Sequence, residues 1–454
     1  MDIDFASAEF VMITVLVWLV IEIGFWVVLH FAVVEPLQRL TKPQKYVIHP
    51  RELCDKIFAT IDSLETYSYE MFMNGFFRGA NVRDIKRDNM LSFLAWAMYA
   101  SHLKDISTEE KGQVEAVCDE AARRYGPLES GFNPKVRHIA MTLEPVPYIH
   151  RPLALYIAVG VIEVFTNVLF FQVKGFQRFE LQGQTYWYRP KATKTTGATS
   201  SSESQQLPVV FYHGICPGWL AYAGLIDSIV HAGGAGMDRD VFLVDLDCTK
   251  IKSLVFTMPS PEHHADCVAA ILAKHGAKKV SVVGHSFGSI AAAWFVKRHV
   301  DMVAHVSLLD PVSLLLFFPE VSYAFLYRLP STVVEWVIYL AAAKEITIAH
   351  TLYRNFWWYN NIIFLEDIPA HIGVIVGLSG SDEVNNATTL MEYVGKCRDE
   401  RLKAHADPTI PSAAPIESVY WPGYSHGQVL VSSTAQRTFC KTLNQHESTM
   451  NGVR

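Results

Sequence analysis

Three short glycine-flanked segments carry a serine, an aspartate and a histidine in that order: Gly284-His285-Ser286-Phe287-Gly288, Gly380-Ser381-Asp382-Glu383 and Gly423-Tyr424-Ser425-His426-Gly427. A serine hydroxyl becomes a useful nucleophile when a neighbouring imidazole takes its proton, and the imidazole works best when a carboxylate orients it. Acyl chemistry also needs two N–H donors for the oxyanion of the tetrahedral intermediate. Phe287, directly after the serine, supplies one candidate; Ile215, just past His213-Gly214, supplies the other. Two further carboxylates compete for the orienting role. Glu383 is the neighbour of Asp382, and Asp310 ends the preceding strand in Leu309-Asp310-Pro311. Asp382 is preferred, and Asp310 reads as a turn residue braced by Pro311.

The elements around these residues follow from the hydrophobic pattern. Residues 279–295, KVSVVGHSFGSIAAAWF, read as a buried strand, an abrupt turn and a helix of small residues. Glycines at the junction, lacking a Cβ, permit the sharp reversal that lifts the serine hydroxyl above the sheet edge. FQRFELQ and QTYWYRP flank Gly183 as a β-hairpin. Further strands are expected at PVVFYHG (208–214), DVFLVDL (240–246), HVSLLD (305–310), HIGVIVG (371–377) and IESVYW (416–421), with a helix over 261–275. Short apolar runs separated by helical stretches predict an α/β fold with a mostly parallel sheet covered on both faces. Ligands in such sheets gather at the carboxyl ends of the strands, where all the candidates lie.

FYHGICPG, GHSFGS, LLDPV, GSDEV and GYSHGQV together resemble the α/β-hydrolase superfamily over about residues 176–443. More narrowly, NVRDIKRDNMLSFLAWA, VSYAFLYRLP and AHTLYRNFWWYNNIIFLEDI, with the apolar N-terminus, resemble membrane-anchored, fungal-type α/β-hydrolases of unassigned substrate. The resemblance implies a serine hydrolase with Ser286, Asp382 and His426 on the catalytic positions, in the Ser, Asp, His order of elbow-type enzymes. It departs from lipases with an HGGG loop, because only His213-Gly214 stands there.

Residues 10–34, FVMITVLVWLVIEIGFWVVLHFAVV, exceed the roughly 20 apolar residues that cross a bilayer. Acidic residues precede this segment, and Arg39, Lys42 and Lys45 follow it, so the positive-inside rule places the body of the protein in the cytosol. Glu22 inside the span is read as a helix-partner contact or a sign of tilt, with a polar site in the membrane as the alternative. Residues 45–150 look helical, with a capping box at Ser107–Glu110 and a cap at Asp88, and hold no catalytic constellation. The apolar stretch 153–172 contains Glu163 and Asn167; it reads as a membrane-associated or buried helix, with a second span as the alternative. The polar run 191–206 is expected to be a surface loop.

An insertion over about 311–367 is dense in Leu, Phe, Trp and Tyr. It reads as a cap lining an apolar pocket for an acyl or other lipophilic chain, or as a second core or membrane-facing surface. The expected organisation is an anchor at 1–34, a helical accessory region at 35–175, the hydrolase domain at 176–443 and a tail at 444–454. Hydrophobic residues make up 50% of the 454 and the net charge is −6 without a long basic run, which gives no support to nucleic-acid binding. Seven dispersed cysteines without a CxxC pair fit a reducing compartment. His263 and His264 are adjacent on a helix start and do not share a face as metal ligands would, and no metal or cofactor is implied. The expected function is hydrolysis of lipophilic or lipid esters at a membrane. Acyl transfer to an alcohol through the same three residues, and a non-catalytic binding protein on the same fold, stay open as alternatives.

Overall fold

The computed structural model describes residues 5–44, 49–191, 206–232, 238–251, 255–406 and 413–452; the polar run 191–206 falls almost wholly outside them. The strands are β1 (Gln177–Leu181), β2 (Gln184–Arg189), β3 (Val209–Tyr212), β4 (Val241–Val244), β5 (Val280–His285), β6 (Val303–Leu309), β7 (Gly373–Ser379) and β8 (Ile416–Trp421). They form one sheet in the order β1-β2-β4-β3-β5-β6-β7-β8. The first hairpin is antiparallel, as is its junction with β4, and every pairing from β4 onward is parallel. Gln182 and Gly183 both take positive φ, the requirement of a two-residue hairpin turn.

Helices α1 (Phe5–Val28), α2 (Pro50–Ser63), α3 (Tyr69–Phe76), α4 (Arg87–Tyr99), α5 (Thr108–Tyr125) and α6 (Leu153–Phe165) precede the sheet. Then α7 (Ala223–Val230), α8 (Pro261–Lys274) and α9 (Gly288–Arg298) follow β3, β4 and β5, and α10 (Val333–Ile338) and α11 (Ile346–Arg354) lie between β6 and β7. Last come α12 (Ala387–Ala404) after β7 and α13 (Ser433–Gly452) after β8. Alternate strand residues serve opposite faces, as the two-residue period dictates. Val280, Val282, Val210 and Tyr212 pack with α8, α9 and α12, whereas Val283, Val209 and Phe211 pack with α7 and α13. The central strands β3 to β7 are buried on both sides, which is why they read as unbroken apolar runs.

The helices before the sheet share a core with it. Leu53, Ile57, Phe72 and Phe93 belong to the same hydrophobic cluster as Val306 and Phe317. Tyr67 stacks on Phe318 at 4.0 Å, Trp358 Nε1 donates to the Ala97 carbonyl at 2.9 Å, and Glu392 accepts from the N–H groups of Glu65 and Thr66 at 2.6 and 2.8 Å. The capping box on α5 is present: Glu110 N–H donates to Ser107 Oγ at 3.2 Å and Ser107 N–H to Glu110 Oε2 at 2.7 Å. Asp88 is not the cap of α4. That helix starts at Arg87, Lys86 holds the cap position, and Lys86 N–H donates to Asn89 Oδ1, leaving Asp88 in the first turn. The run assigned to a tail from 444 continues α13 through Gly452, and Arg239 pairs with Glu447 at 3.0 Å, both side chains almost fully buried.

One helix, residues 9–37, is long and apolar enough to cross a membrane. Phe10 to Val20 offer large apolar side chains to the surroundings, but from Glu22 onward the helix meets the protein. Leu29 and Val34 are buried, and His30 Nδ1 lies 3.1 Å from the Tyr148 hydroxyl. Glu22 accepts from Leu153 N–H at 3.0 and 3.1 Å and faces His150 Nε2 at 3.3 Å. A carboxylate on the first N–H of a helix satisfies a donor with no intrahelical partner, so Glu22 is a helix-partner contact. Within α6 Val159 alone is buried, whereas Leu155, Ile157, Val161, Ile162, Val164 and Phe165 are exposed. Over Leu153–Phe165 the stretch is therefore mostly uncovered, whereas Thr166 and Phe171 beyond it are buried.

Candidate active site

Ser286 sits between β5 and α9 with φ of 52°, a left-handed conformation that a non-glycine residue adopts at a cost of about 1–3 kcal/mol. Its N–H donates to the Leu309 carbonyl at 2.9 Å, and its own carbonyl accepts from Ser289 N–H at 3.0 Å and Ser289 Oγ at 2.6 Å. The strained residue is therefore the serine and not its glycines. Gly284 and Gly288 are needed for close approach: a Cβ on Gly284 would come within 2.7 Å of the Gly288 carbonyl, and one on Gly288 would collide with the Tyr212 and His213 backbone. Side chains on either side of Ser286 are buried, and Ser286 is not.

Loops after β7 and β8 bring the other two residues to it. His426 Nε2 lies 2.9 Å from Ser286 Oγ, and His426 Nδ1 lies 2.9 Å from both carboxylate oxygens of Asp382. Asp382 is fixed in turn by the N–H groups of Val384 at 2.7 Å and Asn385 at 3.0 Å. Burial drives the His426 pKa down, but the Asp382 carboxylate, with Asp310 and Glu383 behind it, outweighs burial and leaves it raised to about 9. Burial would raise Asp382; the imidazole and the two amides more than offset it and hold that carboxyl below its usual range.

Asp310 takes a different part. Its carboxylate accepts from Gly427 N–H at 2.9 Å, Ser379 N–H at 2.8 Å and Ser379 Oγ at 2.9 Å. It thus ties the His426 loop to the end of β7, and burial raises its pKa. Glu383 Oε2 accepts the N–H of His426 itself at 2.9 Å. Asp310, Asp382 and His426 form the one cluster of metal-ligand type among the described residues, and these hydrogen bonds account for it.

Ile215 and Phe287 line the same cavity as Ser286 and His426, and among the described residues neither N–H donates within the chain. The loop carrying Ile215 is held on both sides. Gly214 N–H donates to the Tyr222 hydroxyl at 2.7 Å, and Cys216 exchanges backbone bonds with Thr249 and Ile251. Leu246 N–H donates to His213 Nε2 at 3.0 Å, leaving the proton on His213 Nδ1, which faces the Gly214 carbonyl at 2.8 Å. Tyr222 also bonds His285 Nδ1 at 2.9 Å, so one phenol couples the Ile215 loop to the serine turn. Burial, with His426 adding to it, lowers the His285 pKa to about 3, so the residue beside Ser286 is neutral. Sequence reasoning did not find Tyr222, because nothing local marks a tyrosine eight residues beyond Gly214.

The cavity at Ser286 encloses about 120 Å³, and apart from Ser286, Ser322 and His426 its lining is apolar. Most of that lining comes from the insertion between β6 and β7, including Val312, Phe325, Leu326, Ile338 and Phe356, so this segment does cover the serine. The insertion is divided in use: Leu314 to Phe318 are core, whereas Trp336 is 48% exposed. Met141 of the helical region, not singled out from the sequence, also reaches the cavity.

Residues 208–370 match the family described as "alpha/beta hydrolase fold". No curated protein matches the chain. Among solved structures, a bacterial membrane phospholipase A is similar at 14% identity and TM-score 0.41, over 64% of this chain and 94% of that one. A putative lipase from Acinetobacter baumannii is similar at 12% identity and TM-score 0.39, over 64% and 96%. An esterase from Rhodococcus is similar at 15% identity and TM-score 0.35, over 59% and 99%. Likenesses this distant carry no argument about substrate. Residues 208–370 thus match the α/β-hydrolase fold, and the mostly parallel sheet and the sharp turn after β5 have the architecture of that fold.

Proposed function

We propose that the protein is a serine hydrolase that cleaves esters of lipophilic substrates through an acyl-enzyme. The observation that carries this reading is the 2.9 Å contact between Ser286 Oγ and His426 Nε2, with Asp382 on the opposite ring nitrogen. His426 takes the hydroxyl proton as Oγ attacks the ester carbonyl, and the oxyanion turns to the N–H groups of Phe287 and Ile215. As the intermediate collapses, His426 returns the proton to the departing alkoxide, leaving the acyl group on Ser286. Water then enters, gives a proton to His426 and attacks the acyl carbon; as this second intermediate collapses, the acyl–Oγ bond breaks, His426 returns the proton to Ser286 Oγ and the acid leaves. Asp382 keeps the imidazole in the productive tautomer and stabilises the imidazolium.

The apolar lining of the cavity supports a lipophilic acyl group. Membrane attachment is supported by the apolar helix at 9–37 and by the exposed faces of α6 and of α10 with the turn after it, where Val333, Trp336, Val337 and, beyond α10, Leu340 are uncovered. Arg151, next to α6, bonds the Leu340 carbonyl, and Ile149 N–H donates to the Lys344 carbonyl at 3.0 Å, so these exposed faces are linked. Rates with p-nitrophenyl esters test the reading. Wild-type protein should turn over, and Ser286→Ala should lose at least a thousandfold in kcat; equal rates for the two would refute it.

A further inference from the structure

A second cavity lies behind the first, inside the helices that precede the sheet. It encloses about 70 Å³, several times the roughly 10–15 Å³ that admits a water. Leu53, Phe58 and Phe72 line it, with Leu94, Ala97 and Leu316 among the other walls, and no charged side chain does. Ser322, Cys54 and two tryptophans are its only residues with a polar side-chain atom, and a space lined this largely by apolar side chains suits a hydrocarbon better than water. Leaving it unfilled forfeits dispersion contacts that a close-packed core would make.

Met141 and Ser322 belong to the lining of both cavities, so these two residues form the partition between the space at Ser286 and the second one. The backbone at this point is held firmly. Trp96 Nε1 of α4 donates to Thr142 Oγ1 at 2.9 Å, and Arg354 Nη1 of α11 donates to the Thr142 carbonyl at 3.4 Å. An unbranched methionine side chain on a fixed backbone can swing aside without disturbing its supports.

We infer that the second cavity is an acyl-chain chamber. The carbonyl end of a long, linear acyl group sits at Ser286, its chain passes Met141 and Ser322, and its tail ends among α2, α3 and α4. This rests on the serine-hydrolase reading and adds the substrate class, a long unbranched acyl ester. It also gives the helical region a role in selecting substrate. Pro50 to Val117, which supply most of the chamber, lie outside the segment that matches the hydrolase family.

The test uses the full-length protein in detergent with a hexadecyl fluorophosphonate carrying a diazirine at the chain terminus. After reaction and illumination, digestion should recover a Ser286 adduct cross-linked to peptides within residues 50–117. A Ser286 adduct whose cross-links fall only on the exposed 333–340 segment or on detergent would overturn the chamber and leave the hydrolase reading intact. Absence of any Ser286 adduct would overturn both. In a second arm, Ala97→Leu and Ala97→Phe fill the chamber in two steps. The ratio of kcat/KM for p-nitrophenyl hexadecanoate to that for the butanoate should fall at least tenfold with Phe and less with Leu; a ratio equal to wild type in both would contradict the inference.

Discussion

At the scale of single residues, three carboxylates surround one imidazole in different ways. Asp382 holds Nδ1, Asp310 holds the N–H of Gly427, and Glu383 holds the N–H of His426 itself. All three stabilise the imidazolium, which is how a buried ring comes to have its pKa raised to about 9. Only the neutral ring can accept the serine proton, so kcat/KM should rise with pH through the neutral range with a midpoint near 9. A midpoint at the ordinary histidine value of about 6.5 would contradict this account. Sequence favoured Asp382 over Asp310, although both follow strands of one sheet and both are aspartates. The difference lies in which donor each carboxylate reaches across loops far apart in the chain. The order of the three residues was legible, because each is announced by a local strand and turn. Left-handed backbone at Ser286 was not, because the sequence signal, glycine, marks the neighbours that must pack closely.

Among elements, the loop after β3 and the turn after β5 must keep a fixed separation if Ile215 and Phe287 are to serve one oxyanion. Tyr222 spans them, taking the Gly214 N–H and meeting His285. Tyr222→Phe leaves a buried N–H without a partner, which costs about 1–3 kcal/mol of stability. Urea unfolding should read that loss, and kcat should fall more than KM changes; wild-type stability and kcat together would dismiss the bridge. The strands themselves were legible from the hydrophobic pattern, because burial on both faces leaves little choice of residue in β3 to β7. Element starts were less so, as α4 illustrates, where Lys86 holds the cap position, its N–H donates to Asn89 Oδ1, and Asp88 falls in the first turn. The fate of the C-terminal residues was also hidden, since Arg239 and Glu447 meet across 208 positions.

For the whole molecule, the helices before the sheet and the insertion between β6 and β7 share one hydrophobic cluster, and the insertion together with Met141 lines most of the cavity at Ser286. The exposed faces of α1, α6 and α10 lie outside that cluster. Trp336 and Val337 are 48% and 58% exposed, and on the proposed membrane attachment they would meet lipid. Trp336→Glu combined with Val337→Glu should lower the rate on esters dispersed in phospholipid vesicles at least fivefold more than the rate on a soluble butanoate. Equal effects on both would argue against membrane contact there. The helical region looked like an accessory from sequence because its apolar spacing shows that it packs but not on what; Met141 reaches the cavity at Ser286 through folding that brings positions 141 and 286 together.

On the proposed function Ser286 is a nucleophile activated by His426. Intact-mass analysis after brief exposure to a fluorophosphonate tests it most directly. Wild-type protein should gain one adduct, mapped to Ser286, with Ser286→Ala unmodified and His426→Ala reacting at least a hundredfold more slowly. Labelling of Ser286→Ala to the same extent as wild type, or no adduct on folded wild-type protein, would contradict the account.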